Sequence, residues 1–186
     1  MADPQRWNLY SYCASNPINM IDRSGQWGYT VHGVWTYRIA VMAGFPRKVA
    51  LLIAQADVDV DNNLGTGCWR ADNPAILKEW HFISTGRYAE ALRVCETTLN
   101  AKEFGKYLHV IQDYFAHSSV SLMGGSSHLS ARYEGIDDPY SNYHEWSKVM
   151  EMAQLTLDLM REFQERWTSF ATAVSLSIGS AISGII

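Results

Sequence analysis

The sequence predicts an all-α domain, a helical bundle, and three observations carry that expectation. Apolar residues recur at helical spacing through most of the chain after Gly28. A convincing alternation of apolar and polar residues, the mark of a half-buried strand, is missing from that same region. Gly, Pro and Asn cluster between the periodic stretches rather than inside them. With 186 residues, 47% of them hydrophobic, the chain is large enough for one domain with a sizeable core.

The elements follow in order. Residues 1–26 carry two Pro and several turn-forming Asn and Ser, and show little helical period. Thr30 is placed to cap a helix running to about Ala43 and closed by Gly44. Pro46 suits a first helical turn, and residues 46–61 continue with an apolar face through Val49, Leu52, Ile53 and Ala56. Residues 62–74 read as a loop. A short segment carries Trp80-His81-Phe82, and residues 87–99 form the next candidate helix. Residues 103–117 form another, with Tyr107, Leu108, Ile111, Phe115 and Ala116 as its apolar set. Residues 118–142, rich in Ser, Gly and Asp-Pro, read as a long loop, a length that in a compact domain usually serves function. A helix returns from Tyr143 to about Trp167, with Val149, Met152, Leu155, Leu159 and Phe163 on one side. The expected organisation is a tail over 1–26, a helical domain over 27–167 and an apolar C-terminal helix over 168–186.

The chemistry concentrates on the helix around residue 110. His109, Asp113 and His117 stand four residues apart, so a helix stacks them in one stripe. Imidazole and carboxylate together suit zinc, which takes nitrogen and oxygen ligands. For each residue alone, a satisfied core histidine or a solvated surface aspartate is the alternative. Asp57, Asp59 and Asp61 end the second helix, where carboxylates are unfavourable against the helix dipole, and a neutralising cation would explain them. His81 sits between two aromatics, a setting that a purely structural histidine also favours.

Charge and cysteines exclude some classes. A net charge of −4 supplies no basic field to hold nucleic acid by its phosphates. Three cysteines, Cys13, Cys68 and Cys95, imply no disulfide framework. The first 25 residues are too polar for a signal peptide, so the chain is expected either to stay in the cytosol or to leave as part of something larger.

Two resemblances extend this reading. Asp3-Pro4, Trp7-Asn8-Leu9-Tyr10, Tyr12, Asn16-Pro17 and Asp22-x-x-Gly25 resemble the end of the core of Rhs (rearrangement hot spot) repeat proteins. In that family the segment closes a β-cage, and a variable toxin follows it. The family usually writes Asp-Pro-x-Gly-Leu and cuts itself just after; this chain reads Asp22-Arg23-Ser24-Gly25-Gln26. The resemblance implies delivery into a target cell as part of a larger Rhs polypeptide, with an immunity protein as partner in the producing cell.

The second resemblance covers roughly residues 27–150. It lies in Trp27-Gly-x-x-x-His32, Ile53-Ala-x-x-x-x-x-x-Asp61, Trp80-His81-Phe82 and His109-x-x-x-Asp113, in that order. These resemble the zinc-dependent phospholipases C and the single-strand-specific zinc nucleases. Leu108-His109-x-x-Gln112-Asp113-x-Phe115-Ala116-His117-Ser118 is similar to fungal Het-C-like proteins. The resemblance implies an all-helical domain holding two or three zinc ions. It implies His32, Asp61, His81, His109, Asp113 and His117 as metal ligands, with Asp61 and Asp113 also catalytic. In those enzymes a later His is followed one turn on by an acid; here His144 is followed by Lys148. His128, with Asp137 or Asp138, is the alternative for the remaining ligands. In the secreted enzymes a mature N-terminal Trp ligates through its own amine and carbonyl, a role open to Trp27 if the chain is cut after Gln26.

The implied activity is hydrolysis of a phosphodiester. Phospholipid at the target membrane is favoured over nucleic acid, because residues 170–186 are uncharged and the chain carries seven Trp and ten Tyr. A buried last helix and ordinary core aromatics would explain the same features. The remaining alternatives are a zinc nuclease toxin on the same scaffold and a non-enzymatic membrane-disrupting toxin.

Overall fold

The computed structural model describes residues 28–67, 73–81, 83–117 and 146–183, with backbone alone at 28, 74, 117 and 175–183. Every regular element among the described residues is helical. A π-helical segment, Gly28–Trp35, passes directly into α1 (Thr36–Met42). Then follow α2 (Arg47–Asn62), α3 (Pro74–Trp80), α4 (Thr85–Thr97), α5 (Ala101–His117) and α6 (Trp146–Ser183).

Local chemistry explains where these helices start and stop. Gly44 adopts φ 98°, a left-handed turn that ends the first helix where the sequence predicted it. Pro46 sits at the N-cap of α2 and fixes the chain's entry. The Asn73 side chain accepts from the backbone N–H groups of Ala75 and Ile76, with Pro74 as the first helical residue. A helix therefore begins inside what composition reads as loop. Ser84 caps α4 through the N–H of Arg87, and Asn100 Oδ1 caps α5 through the N–H groups of Lys102 and Glu103.

α5 is the centre of the bundle. It lies against the π segment, α2, α3, α4 and α6. Phe104, Leu108, Val110 and Ile111 on α5 are all fully buried. Phe104 stacks on Phe163 of α6 at 4.3 Å, and Phe45 packs on Phe163 from the α1–α2 turn at 5.5 Å. Truncating such a ring typically costs about 3–5 kcal/mol, so this stack is a main anchor of α6.

Helices α2 and α5 approach unusually closely at Gly105. A Cβ there would fall 2.3 Å from the carbonyl oxygen of Ile53 and 3.1 Å from the Ala56 methyl. Only glycine lets the backbones meet at that distance. The contact sets the spacing of everything one and two turns further along both helices.

Three expectations need correction in detail. Leu52, assigned to the apolar face of α2, is 39% exposed, and the buried face is instead Ala50, Ile53, Ala54, Ala56 and Val60. The first helix does not begin as α but as π. The helix expected to end near Trp167 and the apolar helix expected over 168–186 are one unbroken element as far as Ser183, with no Pro to interrupt it. Beyond Trp167 it leaves the core: residues 168–174 are all exposed, Phe170 at 52%.

Candidate metal centre

Two helix stripes build the centre. On α2, Ile53, Asp57 and Asp61 are one turn apart, and on α5 so are Gly105, His109 and Asp113. The glycine contact at their first turn brings the next two turns face to face. The result is a carboxylate–imidazole–carboxylate layer inside the bundle. Asp57 and His109 are fully buried, Asp113 is 3% exposed and Asp61 5%. Asp59, between the two buried acids, points outward and takes a hydrogen bond from Gln55 at 2.8 Å.

Two more imidazoles enter from outside the pair. His32 comes from the π segment, whose wider turn aims it at α5; π turns recur at functional positions. Its ring stacks on His109 at 4.0 Å. His81 closes α3, and its backbone N–H still bonds Leu77 O at 2.9 Å. Its neighbour Trp80 is held under the Arg87 guanidinium at 5.1 Å, and Arg87 also covers Tyr107 of α5 at 5.2 Å. Arg87 Nε donates to Glu79 O at 2.9 Å. These contacts fix the end of α3 against α4 and α5, and so fix His81.

The donor atoms converge. His81 Nε2 donates to the Thr66 carbonyl at 2.7 Å, which leaves Nδ1 as the lone-pair atom facing inward. That Nδ1 lies 3.1 Å from Asp113 Oδ2, 3.4 Å from His109 Nε2 and 3.7 Å from Asp61 Oδ1. His109 Nε2 in turn lies 3.3 Å from Asp113 Oδ2 and 3.7 Å from Asp61 Oδ1. His32 Nε2 approaches the other oxygen, Asp113 Oδ1, at 3.2 Å. Its Nδ1 lies 2.8 Å from both Asp57 Oδ1 and Gln112 Oε1. Asp61 Oδ2 is buried with no hydrogen-bond partner among the described residues.

Electrostatics requires positive charge here. Three carboxylates are taken out of water together, which is unfavourable unless a cation compensates them. Without a metal, protons must serve. Burial by itself would lower the His109 pKa, and so would the neighbouring His32. The Asp113 and Asp61 charges outweigh both and bring it to about 9. Burial likewise opposes protonation of His32, yet the Asp57 charge and the bonds to Asp113 and Asp57 hold it well above its ordinary value. Burial would raise the Asp113 carboxyl, but His109 beside it, with His32 and His81, keeps it well below the carboxylate range.

The same demand is met by a metal ion. Two groups, His32–Asp57–His109 and Asp61–His81–His109, each offer ligand atoms within 4.8 Å of one another and could hold one. The second fits zinc chemistry closely. Tetrahedral zinc with N and O ligands at about 2.0–2.2 Å has ligand–ligand edges of about 3.4 Å. With Asp113 Oδ2 added to that group, five separations among His81 Nδ1, His109 Nε2, Asp61 Oδ1 and Asp113 Oδ2 span 3.1–3.7 Å.

Of the residues singled out in the sequence, His32, Asp61, His81, His109 and Asp113 come together. His117 ends α5 on the same stripe, where the description is limited to backbone. Trp27, His128, Asp137, Asp138 and His144 lie outside the described residues, as do the 1–26 tail and the 118–142 loop. The sequence left Asp57 as one acid among three, gave Gln112 as a motif residue without a role, and did not single out Thr36. The signal for Asp57 was present: it stands four residues before Asp61, whereas Asp59 stands two. Gln112 Nε2 donates to Thr36 Oγ1 at 3.0 Å, and Thr36 Oγ1 lies 2.9 Å from Asp57 Oδ2. No protein-family model, curated protein or solved structure matches the chain.

Proposed function

We propose that this chain is a zinc-dependent phosphodiesterase of the phospholipase C type. The reading extends to an antibacterial toxin delivered at the C-terminus of an Rhs polypeptide. The observation that carries the metal-dependent reading is the set of four buried, inward-facing atoms, His81 Nδ1, His109 Nε2, Asp61 Oδ1 and Asp113 Oδ2, lying 3.1–3.7 Å from one another. The Rhs-like words of residues 1–26 and the ordered His and Asp motifs of residues 27–150 support the rest.

His81, His109, Asp61 and Asp113 would hold one ion, and His32 Nε2, beside the second oxygen of Asp113, would be available to another. When bound, zinc supplies Lewis acidity that neutralises phosphate oxygens and makes water acidic near neutral pH. Asp61 Oδ2, the oxygen without a partner, is placed to orient a water or take its proton. Asp113 is held ionised by the imidazoles around it and serves as a ligand, not an acid. The Thr66 carbonyl keeps the His81 tautomer fixed throughout.

Phospholipid is favoured as substrate by the acidic net charge and by the uncharged end of α6, with Phe170 exposed on it. Among the described residues no helix is long and apolar enough to cross a membrane. In this reading the remaining partners are the Rhs β-cage before delivery and a neutralising immunity protein. The test is hydrolysis by zinc-loaded protein of phospholipid vesicles beside single-stranded DNA and RNA, with a chelator control. Chelator-sensitive release of phosphorylated headgroup supports the proposal. Cleaved nucleic acid with intact lipid replaces the substrate, and toxicity without any hydrolysis, retained in Asp113→Ala, replaces the enzyme with a membrane-disrupting protein.

A further inference from the structure

Asp57 belongs to the cluster yet faces a different set of atoms from the other two aspartates. Its Oδ1 lies 2.8 Å from His32 Nδ1 and 3.2 Å from His109 Nδ1. Its Oδ2 lies 2.9 Å from the Thr36 hydroxyl. The polar atoms around it are thus two ring nitrogens and a hydroxyl, all able to donate. Asp61 and Asp113 instead face ring nitrogens on the inward side.

Hydrogen-bond bookkeeping orients the neighbours. The one proton of the Thr36 hydroxyl is taken by an acceptor, Asp57 Oδ2 at 2.9 Å or Val31 O at 3.1 Å, so the hydroxyl accepts from Gln112 Nε2 at 3.0 Å and Gln112 turns Oε1 toward His32. His32 Nδ1 then faces two acceptors, Gln112 Oε1 and Asp57 Oδ1, each at 2.8 Å, and must carry the proton. His109 Nδ1 faces only Asp57 among these groups, and its Nε2 faces the inward acceptors. A neutral imidazole has one N–H. Placing it on Nδ1 in both rings leaves both Nε2 lone pairs directed at Asp113.

We infer that Asp57 is not a ligand but a shared outer carboxylate, a positioning residue that fixes the tautomer of His32 and His109 together. This rests on the metal-centre reading and sharpens it. Metal-binding histidines are commonly oriented by such a partner, and its loss typically weakens metal binding about 10- to 100-fold. Here one carboxylate serves two rings, with Thr36 holding its second oxygen. His32 has a reserve acceptor in Gln112, and His109 has none in the cluster. The asymmetry is a specific expectation: losing Asp57 should disturb His109 more than His32.

The experiment combines zinc stoichiometry and affinity with long-range ¹H–¹⁵N correlation of the imidazoles. It uses the zinc-loaded full chain, as wild type, Asp57→Asn and Asp57→Ala. In wild type, His32 and His109 should show the Nδ1–H form and His81 the Nε2–H form. Asp57→Asn keeps an acceptor oxygen and should keep those tautomers and the same number of zinc ions. Asp57→Ala should bind the same number of ions about 10- to 100-fold more weakly, with His109 becoming a tautomer mixture while His32 stays Nδ1–H. One zinc ion fewer in Asp57→Asn, or a wild-type His109 without a proton on Nδ1, overturns the proposal. If wild type binds no zinc, the metal reading itself fails, an outcome distinct from a zinc-loaded protein in which His109 lacks the Nδ1 proton.

Discussion

The α2–α5 pair has two unlike ends. At Ile53 and Gly105 the helices meet backbone to backbone, with no room for one more carbon. One and two turns on, about 6 and 12 Å along the axis, the same helices hold four ionisable side chains between them, joined by His32 and His81. The first end costs nothing electrostatically and gains from close packing. The second is unfavourable unless a cation sits in it. The tight end teaches what makes the polar end workable: it sets a helix spacing at which side chains of the second end come within 3.2–3.7 Å without rearrangement.

The contrast can be broken at either end. The largest effect is expected at the polar end, where His109→Ala and Asp113→Ala should each abolish phosphodiester hydrolysis. The loss should exceed the ~10- to 100-fold typical of outer partners, with bound zinc reduced in parallel. Unchanged turnover in both proteins would remove the site assignment. Next comes the tight end. Gly105→Ala must push the Ile53 carbonyl away, and since backbone cannot rotate aside, a loss of about 3 kcal/mol or more is expected in urea denaturation of metal-free protein. The same variant should bind zinc more weakly although no ligand has changed. Wild-type zinc affinity in a folded Gly105→Ala protein would show that the two ends are independent.

How far the sequence alone reached depends on the kind of signal. The all-helical architecture and the His109–Asp113 pair were legible, because both follow from spacing on a single helix. His32, Asp61 and His81 were reached through the order of short motifs. Asp57 was visible only as part of an acidic helix end, since periodicity does not say which of several acids faces inward until the neighbouring helix is placed. Gln112 was visible only as a letter of a motif, without a role, and Thr36 was not legible at all: neither belongs to the ligand set, and their roles exist only through contacts between residues 76 positions apart. The start of α3 was missed although Asn73-Pro74 is a capping pair, because composition was weighed over position. The two helices read on either side of Trp167 are one, because the periodic apolar face fades there while the backbone, with no Pro to break it, stays helical.

Two smaller measurements sharpen the comparison. Protons and zinc compete for the polar end. His109 is raised from 6.5 to about 9 in the metal-free fold, so its pairing contributes full stability below pH 6.5 and loses it as pH rises through about 9. Asp113, held low, contributes above the ordinary carboxylate range and loses its contribution on acidification. Zinc needs the unprotonated rings. The gap in melting temperature between zinc-loaded and metal-free protein should therefore widen from pH 6.5 to 9. A gap that is flat or narrowing over that range would show that no imidazole of this cluster exchanges a proton for the metal. The smallest effect is expected at Asp59, which shares α2 with both buried acids but faces solvent. Asp59→Asn should change stability by less than about 0.5 kcal/mol and leave zinc binding untouched.

The π segment at Gly28–Trp35 has a consequence for insertions and deletions. A wide turn of this kind holds one residue more than an α turn would need over the same rise. Each residue advances a helix by about 100°, so a chain shorter by one codon between His32 and Thr36 would close into an α turn and swing the imidazole a quarter-turn or more off Asp113. Substitutions around His32 leave that phase intact, and a frame-preserving loss of one residue does not. The length of this stretch, and not only its residues, is therefore part of what aims His32 at the centre.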